Sequence, residues 1–467
     1  MKRILFLIVA GLLAMHVAAQ DAYKITLKIK GATYPSLLLT TYYGNKIKLV
    51  DTAFATQPGT YIFQGHKPLD GGIYMAVTPK KVKLFEFIVN KNPEFKLTTD
   101  TSATVLHMRV EGSVENKLFF KYLKLNDGIY QQIVAIRDSM KTESKTSLVY
   151  AHQQQKIDSL NKLSSDYKLK IIHQYPDLFV TRLFDAMREV KVPKNHPSSD
   201  SLYGYHYLQK HFWDHFRLND LRLLHTPLYE RKINTYFKHL VPFSPDSVIE
   251  YIDKVIALAR PSKECVGYLV WHFTVEYQNP KYMGFDKVFV HMVDRYFARE
   301  SIINTTPSIK KLLLDRANKI RPLLIGKPAP DLVLVDTVGN YVGFRSIKKK
   351  FTLLFFWDYH CSICKKEIQR LIPIYKADAD KLGLEVYGIS INPDLDKWKE
   401  AVRKRRLPWV NVNGTHSIKG DFTKLYDIQG TPQLYLLNAK KEIIAKQFSV
   451  DQLRLILNEY NKKKKLD

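Results

Sequence analysis

The chain has 467 residues, enough for about three domains, since an average domain has roughly 150 residues. Hydrophobic residues make up 45% of it and charged residues 25%, which excludes wholesale disorder and collagen-like repeats. Its three cysteines are too few for a disulfide-stapled scaffold or a four-thiolate zinc site. The net charge of +27 makes nucleic acid a candidate partner, depending on where the basic residues lie.

The first nineteen residues predict a secretory signal peptide. Met1-Lys2-Arg3 is a basic start, Ile4–Ala14 is apolar throughout, and small residues precede a cleavage site after Ala19. The alternative, an N-terminal membrane anchor, is disfavoured because this apolar stretch is too short for a hydrocarbon core of roughly 30 Å. No cysteine lies near the cleavage site to carry a lipid anchor. We therefore predict an exported, periplasmic protein that is soluble after signal cleavage.

Export argues against a nucleic-acid partner, and so does the distribution of the basic residues. None of the dense basic runs belongs to a recognisable DNA- or RNA-binding motif. We interpret these runs as solvated surface, with weak attraction to anionic lipid or acidic partners as the alternative. The runs are Lys80-Lys81, Lys348-Lys349-Lys350, Arg403-Lys404-Arg405-Arg406 and Lys462–Lys465.

Residues 20–112 predict a small antiparallel β domain, a β-sandwich. Ala22–Lys30 alternates between apolar and polar residues, which is the period of a half-buried strand. Turn signals separate further short segments at regular intervals, as in small sandwiches. These segments are Leu37–Tyr43, Lys46–Val50, Gly59–Phe63, Gly72–Val77, Leu84–Val89 and Phe95–Thr99.

Residues 113–320 predict an all-helical region. Apolar residues recur there at helical spacing, and Ser244-Pro245 and Thr306-Pro307 each place a capping residue before a proline suited to the first helical turn. The predicted helices are Val114–Met140, Leu148–Tyr175, Leu178–Val190, Leu202–Phe216, Val248–Ala259 and Lys287–Arg299.

Residues 321–467 predict an α/β domain. A boundary rich in proline and glycine, Ile325–Asp331, is followed by short apolar strands that alternate with helical segments. Among them, Phe351–Trp357 reads as a buried strand and Leu395–Arg405 as a helix. Parallel strands joined by crossover helices would build such a domain, which completes a three-domain chain.

Cys361 and Cys364 lie where the buried strand runs into a helix predicted from Cys361 to Lys376. Thiols at positions i and i+3 of a first helical turn are neighbours and can close a disulfide. The helix N-terminus favours a thiolate at Cys361, so we predict Cys361 as the nucleophile and Cys364 as the resolving thiol. Two alternatives are disfavoured. A zinc site would need a second cluster of cysteine or histidine ligands, and none follows in the sequence. A purely structural disulfide between Cys361 and Cys364 would close too small a loop to stabilise the fold much. Thiol–disulfide exchange is the predicted chemistry.

With these residues in place, residues 325–467 resemble the thioredoxin-fold domain of the TlpA/ResA-like family of exported bacterial thiol–disulfide oxidoreductases. The first two thirds of the chain resemble, more loosely, the poorly characterised β and helical modules that precede such domains in some members. The matching motifs are Gly326-Lys327-Pro328-Ala329-Pro330-Asp331, Phe356-Trp357, Cys361-Ser362-Ile363-Cys364 and Gly430-Thr431-Pro432.

Five further residues are candidates for the site, and the resemblance implies the roles of three of them. It implies a cis bond before Pro432 that faces the cysteine pair, with the Thr431 backbone pairing with an extended substrate; the residues alone allow an ordinary trans proline. Glu367 matches a glutamate that accepts a proton in some members, or is an acidic residue stabilised by the helix dipole. Trp357 and His360 are the remaining candidate substrate-binding residues. His360 replaces a common tryptophan, and either assists the thiolate or lies exposed at the rim.

Other reactive side chains are interpreted as structural. Cys265 lies in an apolar helical stretch and is predicted to be a buried core residue, with an intermolecular disulfide or a regulatory thiol as the alternative. His211 and His215 are spaced as in a metalloprotease helix, but the glutamate that should follow the first histidine is absent, so we predict aromatic packing there. A peroxiredoxin is disfavoured because Asp358 and Leu354 replace its motif threonine and proline.

The sequence therefore predicts an exported thiol–disulfide oxidoreductase that exchanges disulfides with protein substrates through Cys361 and Cys364. We expect no cofactor and no metal, no nucleic-acid partner, a membrane-embedded electron donor and a homodimer as the candidate assembly. The direction of the reaction stays open, because thiolate stabilisation sets the redox potential. The alternative is a partner-binding scaffold of the cell envelope with an accessory redox domain.

Overall fold

The computed structural model describes residues 22–91, 93–193 and 201–463, so the predicted signal peptide, residues 1–19, lies outside the described residues. The chain forms two compact units. The first contains the residues up to Val241 together with Val255–Val266, and the second contains Pro242–Lys254 and the residues from Gly267 onward. Across the described ranges, we find no helix that is both long and apolar enough to cross a membrane.

Eight strands of the first unit form one sheet in the order β6-β5-β2-β3-β4-β1-β7-β8. Most neighbours are antiparallel, as predicted, but β1 and β7 run parallel. The prediction of a purely antiparallel domain is wrong for this pair, because strand direction depends on how the connecting chain crosses the fold. The strands are β1 Tyr23–Lys30, β2 Ser36–Tyr43, β3 Lys46–Gln57, β4 Thr60–Gly65, β5 Gly72–Val77, β6 Lys83–Val89, β7 Glu94–Asp100 and β8 Arg109–Glu111.

Strand β3 joins the two halves of this sheet. It pairs with β2 from Lys46 to Phe54 but with β4 only at Ala55 and Gln57. Apolar side chains from both halves form a single core, in which Ile25 of β1 and Phe87 of β6 are fully buried. One long strand therefore serves both halves, and the predicted strand Lys46–Val50 covered only its first part.

Helices follow the sheet, and the prediction for Val114–Met140 is confirmed with the same bounds. The predicted start signals also hold, because Ser244 and Thr306 each accept a hydrogen bond from the amide three residues later. The helices are α1 Val114–Met140, α2 Leu148–Gln174, α3 Phe179–Ala186, α4 Tyr203–His211, α5 Leu221–Leu224, α6 Leu228–His239, α7 Pro245–Ala259, α8 Lys263–Gln278, α9 Asp286–Met292 and α10 Pro307–Ile320. A π-helical turn, Val293–Phe297, continues α9.

The second unit contains a seven-stranded sheet in the order β10-β9-β13-β12-β11-β14-β15. Only its three central strands are parallel; the flanking pairs are antiparallel, so the parallel arrangement holds for the centre alone. Its strands are β9 Val333–Asp336, β10 Tyr341–Gly343, β11 Phe351–Trp357, β12 Leu384–Ser390, β13 Val410–Lys419, β14 Gln433–Leu437 and β15 Ile443–Lys446. Its helices are α11 Ser362–Leu382, α12 Leu395–Arg405, α13 Phe422–Leu425 and α14 Leu453–Lys463.

Strand β11 has the predicted bounds and lies between two apolar cores. Alternate side chains of a strand point to opposite faces of the sheet. Leu353 and Phe355 accordingly belong to one core, and Leu354 and Phe356 to the other. All seven residues of the strand are buried, so the carboxyl end of β11 is a fixed platform for the residues that follow.

Candidate active site

The two cysteines follow the carboxyl end of β11. A turn of three residues separates Trp357 from Cys361, and helix α11 begins at Ser362. Cys361 is the N-cap of this helix, with extended backbone angles, and its Sγ accepts a hydrogen bond from the amide of Cys364 at 3.1 Å. A sulfur at this position receives the unpaired amides and the positive end of the helix dipole. The local fold therefore prepares a site for a thiolate.

Cys361 is partly exposed and also contacts a distant loop. Its Sγ donates a hydrogen bond to the carbonyl oxygen of Thr431 at 3.3 Å. Partial burial raises the pKa of the Cys361 thiol, but hydrogen bonds from the thiol and amide of Cys364 and from the Thr431 side chain outweigh it, so the pKa is lowered. A lowered pKa increases the thiolate fraction, and the thiolate is the reactive form.

Cys364 differs from Cys361 in both exposure and pKa. The side chain is completely buried, and both cysteines are free thiols in this structure. Burial raises the pKa of Cys364 to about 12, and the neighbouring Cys361 sulfur adds to this effect. The pair thus consists of one accessible thiol that ionises readily and one enclosed thiol that keeps its proton.

The loop that reaches Cys361 contains a cis peptide bond between Thr431 and Pro432, as the resemblance implied. Both residues are partly exposed, and β14 begins at the next residue, Gln433. Because β14 pairs with β11, the sheet brings this loop beside the cysteines although it follows Cys364 by more than sixty residues. Cys361, Cys364, Thr431 and Pro432 therefore share one site.

Glu367 lies on α11, buried and with both carboxylate oxygens engaged. One oxygen pairs with the guanidinium of Arg370 at 2.8 Å, and the other accepts the Val450 amide at 2.6 Å. Arg370 also pairs with Asp451 at 3.0 Å. These contacts tie α11 to the turn that leads into the C-terminal helix. They identify Glu367 as a structural link in the reduced protein, while its role as a proton acceptor stays a prediction.

Trp357 does not form part of a substrate surface. As the last residue of β11 it points into the apolar core on one face of the sheet and is completely buried. The Arg405 guanidinium lies above its ring, 6.0 Å from the centroid. The prediction that Trp357 binds substrate is wrong, because a side chain without exposed surface cannot contact a docked protein.

His360 is exposed at the rim, directly before Cys361. Its ring lies 4.4 Å from that of Tyr359, and its amide donates to the side chain of Asp358 at 2.8 Å. The turn is also held by Tyr359, whose hydroxyl donates to Asn392 at 2.9 Å. Sequence reasoning missed Asn392, because nothing local links the end of β12 to this turn.

The other singled-out residues belong to the first unit, whereas the cysteine pair belongs to the second. Cys265 belongs to the first unit, is completely buried, and has a pKa raised chiefly by burial. His211 pairs with Asp214 at 2.8 Å, and His215 pairs with Asp185 at 3.2 Å, so the two histidines do not converge. Among the described residues, no group of acidic, histidine or cysteine side chains is arranged to hold a metal ion.

Comparisons with known proteins agree with this geometry. Residues 325–446 match the AhpC/TSA family, and residues 146–322 and 23–119 match two domains of unknown function, DUF5106 and DUF4369. The thiol-disulfide oxidoreductase ResA of Bacillus cereus is 26% identical over 147 residues, 31% of this chain and 82% of the relative. ResA of Bacillus subtilis is 27% identical over 120 residues, 26% of this chain and 64% of the relative.

Two solved structures are also similar. One is a domain of a "possible thiol-disulfide isomerase" from Cytophaga hutchinsonii, 36% identical, covering 31% of this chain and 99% of that chain with a TM-score of 0.29. The other is a thioredoxin-like protein from Bacteroides caccae, 20% identical, covering 58% of this chain and 97% of that chain with a TM-score of 0.45. Residues 325–446 are therefore a thioredoxin-like domain that matches the AhpC/TSA family and is related to thiol–disulfide oxidoreductases such as ResA, and it follows two domains of unknown function.

Proposed function

We propose that this protein is exported to the periplasm and exchanges disulfides with protein substrates through Cys361 and Cys364. The observation that carries the proposal is the asymmetry of the pair. Cys361 is accessible with a lowered pKa, and Cys364 is buried with a pKa raised to about 12. An exchange site needs one thiol that attacks first and a second that reacts only after the first is bound.

In the reductive direction, the Cys361 thiolate attacks one sulfur of a substrate disulfide. The substrate S–S bond breaks, a mixed disulfide forms, and the departing substrate sulfur takes up a proton. Cys364 then loses its proton and attacks Cys361 Sγ, which releases the second substrate thiol. The substrate gains two electrons and two protons, and the protein is left with a Cys361–Cys364 disulfide. The same steps run in reverse when the substrate is a dithiol.

A protein substrate would bind along the loop beside Cys361. Thr431 and Pro432 are partly exposed there, and the Ile363 side chain, between the two cysteines, is 59% exposed. An extended segment could pair with the Thr431 backbone and place its cysteine over Cys361, in the manner of strand addition. The apolar Ile363 side chain would contact the residues that flank the substrate cysteine.

The signal pattern of residues 1–19 supports export, and an oxidised Cys361–Cys364 pair must be reduced before another reductive cycle. We assign this step to a membrane-embedded donor of two electrons. The pair's reduction potential against that donor sets the direction of the cycle.

The proposal is tested by trapping substrates with Cys364→Ala, because removing the resolving thiol stalls the mixed disulfide on Cys361. The full-length variant is expressed with its signal segment, and complexes are separated without reductant and identified by mass spectrometry. The Cys361→Ser/Cys364→Ala protein is the matched control. We expect reductant-sensitive complexes with exported proteins in the first variant and none in the second. Equal recovery from both would contradict the proposed nucleophile.

Turnover gives a second test. Purified protein is assayed for reduction of insulin disulfides, with dithiothreitol as the electron source. Cys361→Ser should reduce the rate to that of dithiothreitol alone, since no attacking thiolate remains at the surface of the site. Undiminished turnover in Cys361→Ser would refute the mechanism.

A further inference from the structure

Helix α10, which precedes the thioredoxin-like domain, contributes a charged side chain to the region of the Thr431–Pro432 loop. Arg316 of this helix lies with Nη2 3.7 Å from the Oδ2 of Asp427. Both side chains are largely enclosed, with 20% and 14% of their surface exposed. Enclosure reduces solvent screening, so this pair is stronger than a fully exposed surface pair.

Arg316 is also held by two residues of the helical region, Asn279 and Phe289. Its Nη2 donates to the Asn279 side chain at 2.7 Å, and its guanidinium lies over the Phe289 ring, 5.5 Å from the centroid. A guanidinium fixed by an acceptor and an aromatic face has lost most of its rotational freedom before it meets Asp427. The helical segment therefore presents a preorganised cation.

Asp427 connects Arg316 to the loop, because its carboxylate also contacts a loop residue. Its Oδ1 accepts a hydrogen bond from Gln429 Nε2 at 2.6 Å, and Gln429 stands two residues before Thr431. The preceding Tyr426 is buried, and its hydroxyl donates to the carbonyl of Pro330 at 2.6 Å. The carboxylate is thus the polar link between Arg316 and the loop that contacts Cys361.

A second ion pair holds β15, the strand that pairs with β14. Strand β14 begins directly after the Thr431–Pro432 loop. Lys446 of β15, paired with Tyr435 of β14, is buried against Asp286 of α9. Lys446 also donates to the carbonyl of Leu323 at 2.8 Å. Both charged side chains are 5% exposed. This contact fixes β15, the strand beside β14, whereas the Arg316–Asp427 pair acts on the loop itself.

Between the two ion pairs lies a polar cavity of 130 Å³, lined by the loop residues Gln429 and Gln433 as well as by Arg316 and Asp286. The loop is therefore not supported on this side by close apolar packing, which would hold it without charged contacts. Ile428 packs against the apolar core of the sheet, and on the cavity side the loop is held by the Arg316–Asp427 pair.

We propose that Arg316 is a positioning residue of the redox site, which holds the Thr431–Pro432 loop against Cys361 through Asp427. This inference rests on the proposed function, because the loop matters only if Cys361 is the attacking thiol. Arg316 lies in residues 146–322, outside the stretch that matches the AhpC/TSA family. The last helix of a region of unknown function thus serves the chemistry of the domain that follows it.

The test compares Arg316→Gln, Asp427→Asn and the double variant in the full-length protein. Two quantities are measured: the pH dependence of Cys361 alkylation by iodoacetamide, and kcat/KM for insulin reduction. Either single variant should change the pH dependence of alkylation, because the Thr431 carbonyl no longer stays against the sulfur. Each should also lower kcat/KM about threefold to tenfold through lost orientation. The double variant should be no worse than the more severe single one, since both remove one link.

Arg321→Gln is the matched control. Arg321 follows α10 directly and forms two hydrogen bonds with Asp294, at 2.6 and 3.3 Å, so its loss removes an ion pair that does not involve the loop. This variant should keep the wild-type alkylation profile and kcat/KM. Arg316→Lys should recover part of the loss, because it restores the charge without the planar fork.

The inference is overturned if Arg316→Gln alkylates with the wild-type profile while only its melting temperature falls, since that describes a purely structural residue. It is also overturned if the effects of the two single variants add in the double variant. Alkylation of Cys361 does not require catalytic turnover. The role of Arg316 can therefore be tested even if the proposed function is wrong. Absence of insulin reduction by the wild type would count against the proposed function, whereas the alkylation profiles would still decide the role of Arg316.

Discussion

The Sγ of Cys361 lies 3.3 Å from the carbonyl oxygen of Thr431, a residue seventy positions later in the chain. The contact joins the helix that favours a thiolate to the loop on which a substrate would bind. It also means that the reactivity of Cys361 depends on residues that stabilise the loop, as well as on its own helix.

The hydroxyl of Thr431 should control the pH at which Cys361 becomes reactive. Thr431→Val removes a hydrogen bond that lowers the pKa of Cys361, so that pKa should rise. Alkylation by iodoacetamide falls as pH drops through the pKa of the thiol, and in the variant this fall should occur at higher pH. Thr431→Ser keeps the hydroxyl and should behave like the wild type. If Thr431→Val and Thr431→Ser had the same pH profile of alkylation, the Thr431 hydroxyl would not act on the Cys361 sulfur.

The three cysteines should differ sharply in reactivity. At neutral pH, iodoacetamide should modify Cys361 alone, because Cys265 and Cys364 are completely buried and both have raised pKa values. Peptide mapping of the briefly alkylated, reduced protein measures this. Denaturation before labelling should expose all three thiols and is the control. Prompt labelling of Cys265 in the folded protein would contradict its placement in the core.

Variants of Glu367 should separate its structural role from proton transfer. Glu367→Ala leaves the buried Val450 amide without its acceptor, which should cost about 1–3 kcal/mol of unfolding free energy. Glu367→Gln keeps an acceptor oxygen and should lose less stability, as measured by urea unfolding.

If Glu367 only links α11 to the Val450 turn, Glu367→Gln should retain wild-type kcat for insulin reduction and the same pH dependence. A large loss of kcat in this variant, with stability preserved, would instead identify Glu367 as the proton acceptor that the family resemblance implied.

The buried pair of Lys446 and Asp286 should be sensitive to loss of one partner. Lys446→Met leaves Asp286 enclosed without its cation and should lower the free energy of unfolding by about 3–5 kcal/mol. Lys446→Met/Asp286→Leu removes both charges and should recover much of that loss. Urea unfolding of the two variants measures the difference. Equal stability of Lys446→Met and the wild type would show that the pair is not desolvated.

The redox motif could be predicted from the sequence because all of its determinants are local. The apolar run Phe351–Trp357 was predicted with its observed bounds, and a helix does follow the first cysteine. Helix Leu395–Arg405 was predicted equally well. These segments have strong, uninterrupted patterns, which is the condition under which periodicity identifies an element.

Predictions failed where the outcome depends on packing between distant segments. Trp357 ends a strand that leads to the cysteines, so proximity in sequence suggested a contact with substrate, yet the alternation of β11 turns it into the core. Around Cys265 the sequence indicates an apolar helical stretch but does not give the bounds of the helix, Lys263–Gln278. It is buried at many positions on several sides, so its apolar residues do not form the single stripe that reveals an amphipathic helix.

The sequence by itself determined the order of β, helical and α/β regions and the position of two thiols at the start of a helix, and it predicts Cys361 as the attacking cysteine. Those properties follow from periodicity and from the electrostatics of a helix N-terminus, which act within a few residues. Only the tertiary structure decided that Thr431 touches Cys361, that Trp357 is enclosed, and that Arg316 reaches Asp427. Contacts across tens or hundreds of residues depend on sheet pairing and packing, which leave no local pattern in the chain.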